Sequence, residues 1–410
     1  MFTSFSTALS ALHADSTAID VVGNNLANLN TTGFKTSDVS FQDLVSQSMG
    51  SGQTQLGFGV GTPITQMQFS QGALQATGGA LDAAIQGDGF FVVANAAGAT
   101  EYTRAGNFQV DANGNLTTAT GQFVQGWMPV NGVLNPSGPT GNITVPVGSL
   151  QTPAPTTNMS VSMNLNAAAA TGNTFSTSVQ VYDSLGNSHV VSLTFTKSST
   201  ANQWQYSMSF PNSDLSSAGT PVTGTLTFNS SGVLTSPAAG STPPVLAVSN
   251  LADGAANMNI NWNLFDGTTP TITQFSQPSA TSAQSQDGSP AANLTQVSLV
   301  NGGKILAQFS NGSQVVVGQL AMASILNPES LVSAGNNNYG LSAYSAPPAI
   351  GIPGTGGRGT VVGGSLESSN ADIAREFTNL IVFQRSYEAN AKVVTTVDQL
   401  SQDTINLRPQ

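Results

Sequence analysis

Two narrow apolar stripes stand at opposite ends of the chain, with a long stretch of alternating pattern between them. In residues 1–29 the positions Phe2, Phe5, Leu9, Leu12, Ile19 and Leu26 keep heptad spacing. In 373–397, Ile373, Phe377, Leu380, Phe383, Tyr387, Ala391, Val394 and Val397 keep a matching one. The spacing predicts a helix from about Thr3 to about Asn28, ended by Asn24, Asn25, Asn28, Asn30 and Gly33, and a second helix started by Ser369, Asn370 and Asp372. Ser16 and Gly23 interrupt the first stripe, so it is a poor coiled coil alone and is expected to be largely disordered in a free monomer. The adjoining segments are too glycine-rich and polar to supply a core. The two helices are therefore expected to meet each other, or the ends of other copies.

Between the stripes the period falls to two. AAIQGDGFFVV sets Phe90 and Phe91 after a Gly-Asp-Gly turn, and 101–127 reads as hairpins turning at Ala112 to Gly114 and near Gly121. A Pro-rich seam (Pro146, Pro153, Pro155) precedes a second β-unit. There Phe175, Val179 and Val181 lead into the turn Asp183 to Asn187, followed by the alternating rows Val191, Leu193, Phe195 and Trp204, Tyr206, Met208, Phe210. One apolar face and one polar face predict a half-buried antiparallel sheet in a sandwich or barrel. Residues 276–292, rich in Ser and Gln, break the pattern and are expected to lead back to the first β-unit, which resumes at Lys304 to Phe309, turns at Asn311-Gly312 and continues from Val315 to Ala321. The stretch 346–364 is expected to hold no helix and little sheet, and 30–75 to be an extended connector with little core.

The fold class is thus α+β, mainly β, with terminal helices forming a coiled-coil inner domain around nested antiparallel β-domains. The expected divisions are 1–29 with 370–410 (paired helices), 30–75 with 346–369 (connector), 76–155 with 286–345 (middle β-domain) and 156–285 (outer β-domain). Such nesting leaves both termini at one end.

Composition narrows the function. Charged residues make up 7% of the chain, against about 25% in an ordinary soluble protein, with nine basic residues and a net charge of −11. Scattered Lys and Arg cannot neutralise a run of phosphates, which argues against nucleic acid. No apolar run approaches the ~18 residues of a membrane span, so no membrane insertion is expected. The striped N-terminus lacks the basic and continuous apolar regions of a secretory signal, so any export is expected to proceed without a cleaved signal peptide. Cysteine is absent, which suits an oxidising exterior or passage through a channel unfolded.

Chemistry finds little footing. The two histidines, His13 and His189, suffice for no Ser-His-Asp or Cys-His set and are expected to be ordinary surface or packing residues. The loops DANGN and DSLGN lack the ligand count of a calcium loop and read as β-turns. Gly354, Gly356 and Gly359 satisfy GxGxxG without the strand before and helix after that a dinucleotide needs. No carboxylate pair is selected for glycosidase work. No catalytic residue, metal site or cofactor is expected.

Two further strings carry a resemblance. ALSALHADSTAIDVVGNNLANLNTTGFK at 8–35, with Asn25, Leu26, Ala27, Asn28, Asn30, Thr31, Gly33, Phe34 and Lys35 as its telling part, resembles the N-terminal signature of bacterial flagellar rod and hook proteins. SNADIAREFTNLIVFQRSYEANAKVVTTVDQL at 369–400 is similar to the paired C-terminal signature, centred on Gln384, Arg385, Tyr387, Ala389 and Asn390. GDGFFVV and YTRAGNFQVDANGNL resemble the β-domain shared by the family. The additional unit at about 156–285 looks like the outer domain of hook members, which shorter rod members lack.

The resemblance implies a structural subunit, not an enzyme, that polymerises into a curved flexible tube, a universal joint carrying torque from the rod to the filament. It also implies export through the flagellar type III apparatus to the extracellular flagellum. The implied neighbours are further copies of the chain, the distal rod, the hook cap and the hook–filament junction proteins. The stripe residues named above would form the assembly interface. Stiffness is expected in the helix tube, and compliance in the β-domains and connectors. The alternatives are a distal rod subunit and a secreted β-rich adhesin or glycan-binding protein.

Overall fold

The structure is a computed structural model that describes residues 2–44, 47–48, 55–130, 132–148 and 150–406. The side chain of Phe2, residues 45–46 and 49–54 of the expected connector, and the last four residues of the expected inner segment lie outside the described part. The chain is mainly β with one helix at each end, α1 (Phe2–Ala27) and α2 (Ile373–Asn406). It divides into two compact units: residues 1–147, 296–308 and 314–410 form one, and residues 148–295 and 309–313 the other.

In the first unit the strand Phe90–Ala94 is the spine. All five of its side chains are buried, so both of its faces are covered, and both of its edges are paired. One edge takes Thr100–Thr103; the other takes Phe123–Trp127 toward its C-terminal end and Met322–Ser324 toward its start. Lys304–Phe309 and Gln314–Leu320 form the hairpin that the sequence pattern predicts, and Gly126 of Phe123–Trp127 sits opposite Leu320. Phe90, Val92, Tyr102, Trp127, Ala323 and Tyr339 share one core. Phe69, Phe90 and Tyr339 meet edge-to-face at 5.2–6.0 Å, a geometry that places positive ring edges on negative faces.

The two expected connectors depart from expectation. Ser37–Ser40 pairs with Ile64–Met67, Leu74–Ala76 with Ser365–Glu367, and Ala83–Gln86 with Thr360–Gly363, where buried Val361 faces buried Ile85. Met67 and Phe69 pack against the core. These strands are three or four residues long and their partners are far away in sequence, so no periodicity could reveal them. The GxGxxG string is a tight loop: the Gly354 N–H donates to the Gly359 carbonyl, and the Arg358 guanidinium caps the carbonyls of Ala349 and Ile352.

The second unit is a sandwich. One sheet is an antiparallel meander of Thr174–Tyr182, Ser188–Lys197, Gln203–Ser209, Val222–Phe228 and Leu234–Ser236. The other centres on Asn158–Asn164, which runs parallel to Met258–Asn263 and Ile272–Thr273 and antiparallel to Ala280–Gln286, so this sheet is mixed. Ala280–Gln286 falls where the sequence predicted a break; its Ala, Ser, Thr and Gln side chains are mostly exposed and carry no apolar alternation. The two predicted rows on Ser188–Lys197 and Gln203–Ser209 point into a single core. At its centre Trp262 meets Tyr206 edge-on at 5.1 Å and Phe195 at 5.9 Å. Trp262→Ala is expected to cost the full chain about 3–5 kcal/mol, read as a lower denaturation midpoint for this unit.

Asp287 ties the entry of this unit to its exit. Its carboxylate accepts the N–H groups of Thr157 and Asn158, the Thr157 hydroxyl and the Asn158 amide. Burial pushes the Asp287 carboxyl up, but the hydrogen bonds from Thr157 and Asn158 outweigh it and hold it at about 2. A depressed carboxyl stabilises the fold above its unfolded value near pH 3.9, and that stabilisation is lost as pH falls toward 2. Acid titration followed by tryptophan fluorescence is therefore expected to show a shallower loss below pH 4 in Asp287→Asn than in the parent chain.

Candidate assembly face and joint

Among the described residues, no cluster of nucleophile, base and cofactor donors organises the first unit; the terminal helices and the segments that anchor them are its candidate functional element. α1 has neither proline nor charge in its first turn, and α2 starts at Asp372, whose Oδ1 accepts the N–H groups of Ala374 and Arg375 as an N-cap. The helices run antiparallel, since Asn25 Nδ2 donates to Glu376 Oε2 (3.3 Å) near one end and Asn390 Nδ2 to Asp15 Oδ2 (3.0 Å) further along.

The seam between them overlaps the predicted stripe only in part: Phe383, Val394 and Val397 of α2 belong to both, whereas α1 buries other positions. On α1 the buried positions are Ala8, Ala14, Asp15, Ala18, Val22 and Asn25, mostly small or polar. On α2 Glu376 is buried, with Phe383, Asn390, Val394 and Val397 half-buried. The other large stripe residues are more exposed or only half-buried. Phe5, Leu9, Ile373, Phe377 and Tyr387 are 40–53% exposed, and Leu12, Ile19, Leu26 and Leu380 are half-buried. Ile381, Val382, Val393 and Leu400, which sequence reasoning missed, extend the exposed apolar surface of α2. On α1 the reason is spacing: a row of small residues one position away shares the same heptad period, and a search for large residues finds the other one.

Below the helices, the signature residues build a joint. Asn28 closes α1, donating from Nδ2 to the Asn24 carbonyl and accepting the Thr31 hydroxyl. Asn25 is fully enclosed; it donates to the Ser37 carbonyl and accepts the Ser37 N–H. Gly33 has φ +67°, and a Cβ there would lie 2.6 Å from the Arg104 carbonyl carbon, so both conformation and space require glycine. Its N–H donates to the Glu367 carbonyl at 2.7 Å. Phe34 is half-buried and its carbonyl accepts the Asn370 N–H. Asn30, Gln384 and Arg385 are exposed.

The centre of the joint is ionic. Lys35 Nζ lies 2.6 Å from Glu367 Oε1 and 2.7 Å from the Ser70 carbonyl, with both charged side chains inaccessible to solvent. Arg104 Nη1 reaches Glu367 Oε2 at 3.3 Å while its guanidinium lies over the Phe90 ring. Glu367 Oε1 also accepts the Gly72 N–H. Burial draws the Lys35 ammonium below the usual lysine range; Glu367 works in the opposite direction, and Arg104 adds a like-charge push downward. Sequence reasoning singled out Lys35 but missed Arg104 and Glu367. Their signal was rarity, Glu367 and Arg358 being the two charges between 346 and 371.

Residues 5–35 match the model described as flagella basal body rod protein, and 362–407 the flagellar basal body rod FlgEFG protein C-terminal model. Residues 84–164 match the flagellar hook protein FlgE/F/G D1 domain, and 149–289 the flagellar basal body protein FlaE D2 domain. The flagellar hook protein FlgE of Borreliella burgdorferi is 32% identical over all of both chains, and that of Escherichia coli K12 is 33% identical over 98% of this chain and all of its own. The chain belongs to the flagellar hook protein family. The hook protein of Treponema pallidum is similar at 33% over the full length of both. The crystal structure of the Helicobacter pylori flagellar hook protein FlgE2 shares the hook-family fold at a TM-score of 0.53, with 15% identity over 70% of this chain and 99% of its own.

Removing one partner of a buried pair strands the others without compensation, which costs about 3–5 kcal/mol. Glu367→Gln keeps the shape but leaves Lys35 and Arg104 uncompensated. It is expected to lower the unfolding midpoint of the first unit and leave that of the second unchanged, measured by hydrogen exchange resolved along the chain.

Proposed function

We propose that this member of the hook family is a structural subunit that polymerises head to tail into the curved hook and carries torque through it. The observation that carries this is the outward row of large apolar side chains on both terminal helices. Fully burying one such side chain is worth about 1.5–3 kcal/mol, and repeated copies offer the surface to bury it. A non-closing rotation between identical subunits gives an open tube. We assign the assembly interface to Phe2, Phe5, Leu9, Leu12, Ile19, Leu26, Ile373, Phe377, Leu380, Phe383, Tyr387, Val394 and Val397. Of these, the exposed Phe5, Leu9, Ile373, Phe377 and Tyr387 face other copies. The nested division into inner helices, middle β-domain and outer β-domain goes with this assignment.

The distal rod, hook cap and hook–filament junction proteins are its neighbours in this scheme, and the flagellar type III apparatus delivers it to the flagellum without signal cleavage. The role involves no catalytic step and no cofactor. Full-length similarity to hook proteins disfavours a rod subunit or an adhesin. The pairing of both connectors into sheets moves the compliance originally expected there to the contacts between copies, where few charges and many hydroxyl and amide groups permit water-bridged sliding.

Leu9→Asp and Phe377→Asp place a charge on the exposed row without disturbing the seam. Each is expected to keep the monomer's melting temperature and to abolish polymerisation, seen by negative-stain electron microscopy; Leu12→Asp and Leu380→Asp are expected to block polymers with some loss of monomer stability. Normal polymers from Leu9→Asp and Phe377→Asp together would remove the helices from the interface. Cells lacking the gene are expected to carry rods that end without a hook.

A further inference from the structure

His189 is far from the ordinary packing residue expected of it. Its side chain is 7% exposed, and three loops of the second unit converge on it. Asp183 comes from the turn between Thr174–Tyr182 and Ser188–Lys197, Asp214 from the single helical turn Asn212–Asp214, and Asp253 from the turn after Leu251. Nδ1 lies 2.8 Å from Asp214 Oδ2 and Nε2 lies 3.0 Å from Asp183 Oδ2; Asp253 Oδ2 is 3.8 Å from the same Nε2. The Phe210 ring closes another side at 5.0 Å.

The remaining hydrogen bonds fix the roles. Asp183 Oδ1 is taken by the N–H groups of Leu185 and Asn187, Asp214 Oδ1 by the Ser213 hydroxyl, and Asp253 Oδ2 by the Asn187 amide. Ionised carboxylates only accept, so both imidazole nitrogens must donate, and an imidazole with two donors is an imidazolium. A neutral ring would aim a lone pair at a carboxylate oxygen within 3.0 Å and would leave three negative charges together, one of them on the fully buried Asp183.

We propose that His189 is a pH-operated clamp: its imidazolium holds the loops of Asp183, Asp214 and Asp253 together, and loss of a proton releases them. The loops are also joined by backbone bonds, Ser216 to Asn250 and Ala252 to Asp214, and by the Ala256 N–H to Ser184 Oγ. Release therefore loosens one loop cluster and leaves the sandwich core intact. The directions of titration agree. Burial pulls the imidazole down, but Asp214 and Asp183 more than offset it and hold it above its ordinary value. Burial pushes the Asp183 carboxyl up, and its bonds from His189 and from the N–H groups of Leu185 and Asn187 bring it to about 2. A raised histidine contributes stability that is complete below about pH 6.5 and lost as pH rises through its folded value. A depressed carboxyl contributes above about pH 3.9. The clamp is thus closed from about pH 4 to above the ordinary histidine value near pH 6.5, and opens as pH rises through the raised value.

The test uses the full chain as monomer, carrying His13→Gln so that a single imidazole is observed, with ¹⁵N-detected histidine NMR and loop-resolved hydrogen exchange from pH 5.5 to 9.5. Both ring nitrogens are expected to be protonated at pH 6.5, with a midpoint above that value. Exchange protection of residues 184–187 and 251–256, corrected for intrinsic rates, is expected to be lost across the same range, and His189→Gln is expected to abolish that step. Should His189→Gln fail to fold, Asp214→Asn, which removes one accepting charge, is expected to lower the imidazole midpoint. A neutral tautomer at pH 6.5, protection without a step, a step that survives His189→Gln, or a midpoint unmoved by Asp214→Asn would each overturn the clamp. Because the measurement is made on the monomer, it stands apart from whether the chain polymerises.

Discussion

The buried contact among Lys35, Arg104 and Glu367 is the constraint on which the first unit turns. The chain leaves α1 through Gly33 and returns to α2 through Glu367, and these two passages meet at one carboxylate. In a chain with 7% charged residues, a cluster of three in one solvent-free place is a large local commitment. Taking such charges out of water offsets much of their mutual attraction, so the cluster contributes less to net stability than its short distances suggest. Its contacts join the exit of α1 to the entry of α2. The neighbouring Asn25 and Asn370 serve the same end by hydrogen bonding, each to backbone of the segment following α1.

The helix pair then divides its surface by side-chain size. Alanines and polar residues take the seam within the chain, where small side chains let the backbones approach and where Asn25–Glu376 and Asp15–Asn390 fix the register. Phe5, Leu9, Ile373, Phe377, Ile381 and Leu400 take the outside. Large apolar side chains that stay exposed contribute little to the stability of the helix pair itself, which rests on its small and polar positions.

Much of the architecture was legible because it is local. Helix periods, the alternation in Ser188–Lys197 and Gln203–Ser209, and the Asn-Gly and Asp-containing turns all express themselves within about ten residues. What was not legible is pairing across long separations. Leu74–Ala76 with Ser365–Glu367 joins segments too short and too polar to announce themselves, and Ala280–Gln286 lacks any apolar row. The joint was half legible: Lys35 stood out, whereas its partners Arg104 and Glu367 lay in segments read as a hairpin and a connector. His189 shows the same limit, since nothing in its local sequence announces Asp214 and Asp253, which arrive from two other loops.

The paired return strands have a mechanical meaning. Thr360–Gly363 and Ser365–Glu367 run antiparallel to Ala83–Gln86 and Leu74–Ala76, and the hydrogen bonds of such ladders lie across the strand direction. A load that enters through the start of α2 and runs along these strands must shear several ladder bonds at once, together with the Lys35–Glu367 contact, before any one can yield. A load applied across them would peel the bonds singly. The segment joining the helices to the β-body is therefore strong along its length and weak sideways, as a seam in cloth is.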